Sequence, residues 1–189
     1  PLKSPEPGHV TNTLLVYDAF GQEAVRYNKV HLFSYEGTNE RYDESELYTP
    51  GHKPVSFTIP LDNGTDIRVG LAVCYDLRFP QLFRLQSNVD CFLLPAAFTT
   101  ATGKAHWEVL LRARAIENLS YVFASAQAGR SSSGRAFWGH SIAVDPWGTV
   151  IGQLNGHETG VLCSTVDPLF LRRVRESLPA LNHRVEYEL

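Results

Sequence analysis

An α/β layering, with mixed sheets inside and helices outside, is the fold class this sequence predicts, and three observations carry it. Short apolar runs at Ile67–Val73, Cys91–Pro95 and Tyr121–Ala126 have the length and composition of strands buried on both faces. Helical stretches at Pro80–Gln86 and Lys104–Leu119 fall between those runs, the alternation that builds a layered sheet. At both ends of the chain, strand-like segments follow one another across short turns, so the sheet should be more antiparallel there than in a Rossmann-type fold. No glycine-rich phosphate loop appears.

In chain order, Pro1–His9 is rich in Pro, Gly and charge and reads as loop. Val10–Tyr17 and Ala24–Val30, joined by Phe20-Gly21-Gln22, predict an antiparallel hairpin. From His31 to Lys53 the composition turns polar, with Gly37, Pro50 and Gly51. That predicts a long surface loop with a helical turn near Tyr42–Glu46, and loops of that length are usually functional. Val55–Ile59 and Ile67–Val73 flank the turn signal Asp62-Asn63-Gly64. In the helix at Lys104–Leu119, Trp107, Leu110, Leu111 and Ala115 share one face, while Glu108 and Arg112 form an i,i+4 pair. Ser131–Gly134 reads as a flexible tip. A strand from His140 to Val144 then turns at Asp145-Pro146-Trp147-Gly148 into Val150–Leu154. Gly160–Val166 reads as a strand and Leu169–Ser177 as a closing helix.

With 189 residues and 43% hydrophobic content the chain can bury a sizeable core, and one domain is expected over residues 1–189. The net charge of -3 carries no basic excess, which argues against nucleic acid or an anionic membrane as partner. No run reaches membrane-spanning length and no signal peptide is evident. Three cysteines, odd in number and far apart, argue against a disulfide framework and for a reducing, cytoplasmic setting. The chain opens on Pro1 and contains no Met, as a trimmed or partial chain would.

Cys74 ends the buried run Ile67–Val73, and a polar turn leads from it to Pro80, a residue favoured in the first turn of a helix. A thiol between a strand end and a helix start faces orphan N–H groups and the positive end of a helix dipole, so its pKa should fall toward thiolate. Cysteines are nonetheless mostly inert packing, which is the reading for Cys91 and Cys163. What distinguishes Cys74 is its company elsewhere in the chain.

Tyr27-x-Lys29-Val30-His31-Leu32-Phe33, Cys74-Tyr75-Asp76-Leu77-Arg78-Phe79-Pro80, and His106-Trp107-Glu108 followed by Arg112-Ala113-Arg114-Ala115 together resemble the carbon-nitrogen hydrolase (nitrilase) superfamily. The resemblance continues through Gly139-His140-Ser141, Asp145-Pro146-Trp147-Gly148 and Leu178-Pro179 to Asn182-His183-Arg184. Tyr75-Asp76 after the cysteine resembles the amidase-like Nit branch, which includes omega-amidases and deaminated glutathione amidases; nitrilases proper tend to have Trp-Glu there. The resemblance implies a four-layer αββα sandwich, no cofactor, and a homodimer paired through helical faces; the seven histidines show no metal-ligand spacing. It implies Cys74 as nucleophile, and Lys29 with the backbone N–H of Tyr75 as holders of the oxyanion. Glu44 is implied as a supporting glutamate that orients either the general base or Lys29; its plainer reading is an exposed loop carboxylate.

The family's general-base glutamate stands before the hairpin, in a Pro-Glu context. Glu6, in Ser4-Pro5-Glu6-Pro7, is too close to Lys29 and reads as solvated. The resemblance therefore implies the C-terminal portion of such a domain, holding nucleophile and lysine without the base. The expected reaction is hydrolysis of a small carboxylated amide, with two rivals: a nitrilase acting on C≡N, and a non-catalytic scaffold that keeps the fold. His31 and His140 are expected to satisfy buried polar groups, and His106 to make a structural hydrogen bond. Asp76 and Arg78 are expected to brace the elbow. Phe98, Trp107 and Trp138 read as core or pocket wall, and Ser141 lacks a serine-hydrolase setting.

Overall fold

A computed structural model describes residues 1–36, 41–62, 64–86, 88–132 and 134–185. Gly37, Asn63 and Ser133, which belong to the expected loop, turn and tip, lie outside the described residues. The chain begins with three antiparallel pairs: β1 (Leu2–Lys3) with β2 (Val10–Thr11), β3 (Thr13–Tyr17) with β4 (Glu23–Asn28), and β5 (Ser34–Glu36) with β6 (Arg41–Asp43). The expected first strand is thus broken at Asn12. The expected loop after His31 contains a hairpin and, at Glu44–Glu46, the foreseen turn as a 3-10 turn.

The centre of the molecule is a six-stranded sheet. Its elements are β7 (Ser56–Pro60), β8 (Asp66–Leu71), α1 (Pro80–Leu85), β9 (Cys91–Ala96), α2 (Thr100–Asn118) and β10 (Tyr121–Ala126), then, past a hairpin of β11 (Ala128–Arg130) and β12 (Ala136–Trp138), β13 (Ile142–Val144) and β14 (Val150–Gln153). The strand order is β14-β13-β10-β9-β8-β7. Strands β8, β9 and β10 run parallel, and the outer pairs are antiparallel, as the sequence predicts. Because both crossovers step the same way across the sheet, right-handedness puts α1 and α2 on one face. The hairpin β3–β4 covers the other, where Leu14, Val16 and Val25 pack against the core.

The elements form for local reasons. Gly70 is required inside β8 because a Cβ there would lie 2.6 Å from the ring of Phe92 on β9. Where β8 leaves the sheet, the buried amide of Gln86 accepts from the N–H of Leu71 at 3.0 Å and donates to its carbonyl at 3.1 Å. On α2, Trp107, Leu111 and Ala115 are buried and Leu110 half-buried, and the Glu108–Arg112 pair forms at 3.8 Å. Trp107 Nε1 donates to the carbonyl of His140 at 2.8 Å, tying α2 to the approach of β13. His140 has a φ of 59°, so the strand expected from His140 begins only at Ile142. The helix α3 (Pro168–Ser177) is capped by Asp167, which accepts from the N–H groups of Leu169 and Phe170.

One strand expectation needs correction. Gly160–Val166 is not a strand: its short apolar run pairs with no ladder among the described residues, and Val161 is 87% exposed. Ser131 and Gly134, from the expected tip, lie between the paired strands β11 and β12, with the N–H of Ser131 on the carbonyl of Arg135 at 2.9 Å.

Candidate active site

The site begins where β4 ends. The backbone of Lys29 is fixed on both sides, its N–H donating to Asn12 O and its carbonyl accepting from Gly51 N–H, each at 2.8 Å. Its side chain is 1% exposed and ion-paired with the carboxylate of Glu44. Burying a lone ammonium would cost several kcal/mol, on the order of the effective penalty for an unpaired ion, and the pairing offsets that cost. Glu44 is held in turn by residue 33: the N–H of Phe33 donates to Glu44 Oε2 at 2.7 Å, and the N–H of Glu44 donates to Phe33 O at 2.9 Å. The exposed-loop reading of Glu44 is therefore excluded, since its side chain is only 11% exposed.

The second part is the elbow, a 3-10 turn over Cys74–Arg78 that starts where the sheet ends. Asp76, fully buried, organises it by accepting four hydrogen bonds: from Tyr27 Oη at 2.7 Å, the N–H of Val73 at 2.9 Å, the N–H of His31 at 3.0 Å and His31 Nδ1 at 2.8 Å. The brace expected of Asp76 is present, and His31 serves it while stacking on Phe79 with ring centres 3.6 Å apart. Arg78 lies over the rings of Phe98 and Tyr75, and its guanidinium is 3.3 Å from His106 Nδ1.

Cys74 sits on the elbow with a φ of 50°. The first amide of the turn to find a backbone acceptor is that of Asp76, on Val73 O at 3.1 Å. The N–H groups of Cys74 and Tyr75 precede it, in the orphan positions of a helical start.

Lys29, Glu44 and Cys74 line one cleft of about 620 Å³. The expectation for the thiol's acidity is overturned. Burial pushes the Cys74 thiol up from its ordinary value; a backbone hydrogen bond from Ala97 and the ammonium of Lys29 pull it back, while Glu44 and Asp76 push it further up. The reason lies in the turn, whose single 3-10 segment has little dipole, and α1 begins only at Pro80. Desolvation by packing is therefore the largest influence on the thiol, ahead of the Ala97 hydrogen bond and the Lys29 charge.

The other residues singled out in the sequence fall away from the chemistry. Cys91 is buried packing, as expected, but Cys163 is exposed because the segment around it forms no strand. Glu6 is an exposed carboxylate that accepts from Thr49 Oγ1 at 2.9 Å. His140 Nδ1 lies 2.7 Å from Trp138 O, and the hydroxyl of Ser141 accepts from the N–H of Ala126 at 2.9 Å. Phe98 and Trp107 are core, and Trp138 is half-buried beside Gly103, where a Cβ would lie 2.3 Å from the tryptophan. The structure adds two residues that the sequence did not single out as site residues: Arg135 and Tyr42 line the same cleft, the guanidinium 4.2 Å from the ring centre. No local pattern marks either one, because the β11–β12 hairpin brings Arg135 there through tertiary packing.

Comparison with known proteins adds to this geometry. The family described as carbon-nitrogen hydrolase matches residues 2–176. A deaminated glutathione amidase from Yersinia enterocolitica is 41% identical over 181 residues, covering 94% of this chain and 61% of that protein. The crystal structure of the Caenorhabditis elegans NitFhit protein superposes with a TM-score of 0.79 at 38% identity, over 97% of this chain and 44% of that one. A variant of an amidase from Nesterenkonia sp., showing Michael addition of acrylamide at its active-site cysteine, superposes with a TM-score of 0.66 at 28% identity, over 82% and 57% of the two chains. The chain spans 61–66% of the length of the first curated relatives it matches.

Proposed function

Because this chain belongs to the carbon-nitrogen hydrolase family, we propose that it carries the nucleophile half of an amidase site acting on a small carboxylated amide, such as an omega-amidated 2-oxo acid or a deaminated glutathione-like compound. The observation that supports this most is the meeting of Cys74, Lys29 and Glu44 in one cleft from three separate segments of the chain. In this reading Cys74 Sγ bonds to the carbonyl carbon as its proton is passed to the leaving nitrogen. The C–N bond breaks, ammonia departs and a thioester remains; water then attacks the thioester, returns a proton to sulfur and releases the acid. Lys29 and the N–H of Tyr75 take the charge that develops on the carbonyl oxygen, and Glu44 keeps the ammonium aimed there. A single donor of this kind typically supplies about 2.7–4 kcal/mol.

The proton carrier is a second glutamate, which the family resemblance assigns to sequence before the hairpin. Among the described residues Glu44 is the only carboxylate lining the cleft, and its Oε2 accepts from both Lys29 and the N–H of Phe33. Three cysteines, odd in number and far apart in the sequence, support a reducing, cytoplasmic setting. The exposed Val109 and Ile116 on α2 support pairing with a second copy through the helical face.

Intact-mass spectrometry with the monoamide of a small diacid tests the reading. The enzyme should gain the mass of the substrate less ammonia and release ammonia, and Cys74→Ala should do neither. Ammonia release by folded Cys74→Ala at the unmodified rate overturns the proposal.

A further inference from the structure

The cleft holds two cations, and they are not equivalent. Lys29 is buried and its charge is taken by Glu44, whereas Arg135 is half-buried and is in no ion pair among the described residues. The described cleft therefore carries one positive charge beyond what its own carboxylate balances. Arg135 is also held in a particular way. Its backbone is pinned to Ser131, its N–H donating to Ser131 Oγ at 3.1 Å and its carbonyl accepting from Ser131 N–H at 2.9 Å. The strand that follows is anchored beside the elbow's neighbours, with Trp138 N–H on Phe98 O at 2.9 Å and Phe137 bridged to Thr99. The guanidinium then lies over Tyr42, which is itself packed against Phe33 with ring centres 5.4 Å apart.

Stacking uses the face of a guanidinium and leaves its in-plane N–H edge open, and that edge is the geometry that takes a carboxylate through two parallel hydrogen bonds. We propose that Arg135, stacked on Tyr42, is the carboxylate-binding group of this cleft and selects amides whose far end is anionic. The inference rests on the amidase reading and deepens it. Cys74 meets the amide, and Arg135 meets the acid at the other end of the same molecule. Substrates with a neutral far end leave an unpaired cation in the cleft and bind weakly.

The test compares glutaric acid monoamide, which is anionic, with glutaric diamide, which is neutral and nearly isosteric. The reading is the concentration of each that protects Cys74 from iodoacetamide, followed by peptide mass spectrometry on the full chain. The monoamide should protect at about tenfold to a hundredfold lower concentration than the diamide, as for a charge-assisted pair. Arg135→Gln should collapse that ratio toward unity without weakening protection by the diamide, and Arg135→Lys should restore part of it, which a purely structural arginine would not do. A ratio unchanged in Arg135→Gln overturns the assignment of Arg135 and leaves the amidase reading standing. Failure of both compounds to protect Cys74 in the unmodified protein overturns the two together.

Discussion

Tyr27 and Asp76, 49 residues apart in the chain, share a buried 2.7 Å hydrogen bond that fixes β4 to the nucleophile elbow. Tyr27 lies two positions before Lys29, and Asp76 two positions after Cys74. Together with the two bonds from His31 to Asp76, this contact ties the segment that carries Lys29 to the turn that carries Cys74. Burial, then the charge of Asp76, drives the Tyr27 hydroxyl well above the usual phenol range, so it remains a donor at any ordinary pH. Tyr27→Phe should cost about 1–3 kcal/mol, the range for a buried bond whose partner keeps other donors. Asp76→Ala should cost more, because it strands four donors at once. Urea denaturation of both variants measures the difference.

Lys29 and Glu44 invite a double-mutant cycle. Breaking a buried ion pair from one side leaves an uncompensated charge, so Lys29→Met and Glu44→Leu should each destabilise by about 3–5 kcal/mol. The double substitution should cost clearly less than the sum of the two, since neither orphan charge remains. Thermal or chemical unfolding of the four proteins checks this, and simple additivity would show that the pair is not coupled.

The three thiols should label in an order that the sequence alone does not give. With iodoacetamide near neutral pH, exposed Cys163 should react first, half-buried Cys74 more slowly and buried Cys91 last. The rate at Cys74 should keep climbing as pH passes its ordinary value near 9, because burial holds the protonated form. Lys29→Met should push that rise to still higher pH. Peptide-resolved mass spectrometry across a pH series reads all three sites.

Cys91 links folding to alkaline pH. Burial pushes its thiol up to about 12 from 9.0. Between those values the unfolded chain gives up its proton while the folded chain keeps it, so stability is full below the unfolded pKa and falls as pH rises toward the folded one. From pH 9 to 10.5 the loss should be about 1.6 kcal/mol. Cys91→Ala should begin less stable, through the cavity it leaves, yet show a shallower decline over that range. Urea midpoints at the two pH values measure the slopes.

The residues that were legible in the sequence are those whose signal is local. Periodicity placed α2, proline marked the start of α1, and turn chemistry placed the β3–β4 and β7–β8 hairpins. The strand expected at Gly160–Val166 does not form because a short apolar run expresses only a tendency, and a ladder needs a neighbour. The β11–β12 hairpin was missed because its three-residue strands are too short and mixed to show a period. At the site, the motifs brought Cys74, Lys29 and Glu44 into consideration. Their protonation energetics and the presence of Arg135 depend on what packs around them, which no local window contains.

The left-handed backbone at Cys74 turns the elbow into a record of what a population has been selected for. A side chain there is worse by about 1–2 kcal/mol than glycine, which takes that conformation freely. Libraries randomised at this codon and sorted by heat resistance should drift to glycine, and those sorted by turnover should return the sulfur at a lower melting temperature. Which residue survives reports whether durability or chemistry was being rewarded.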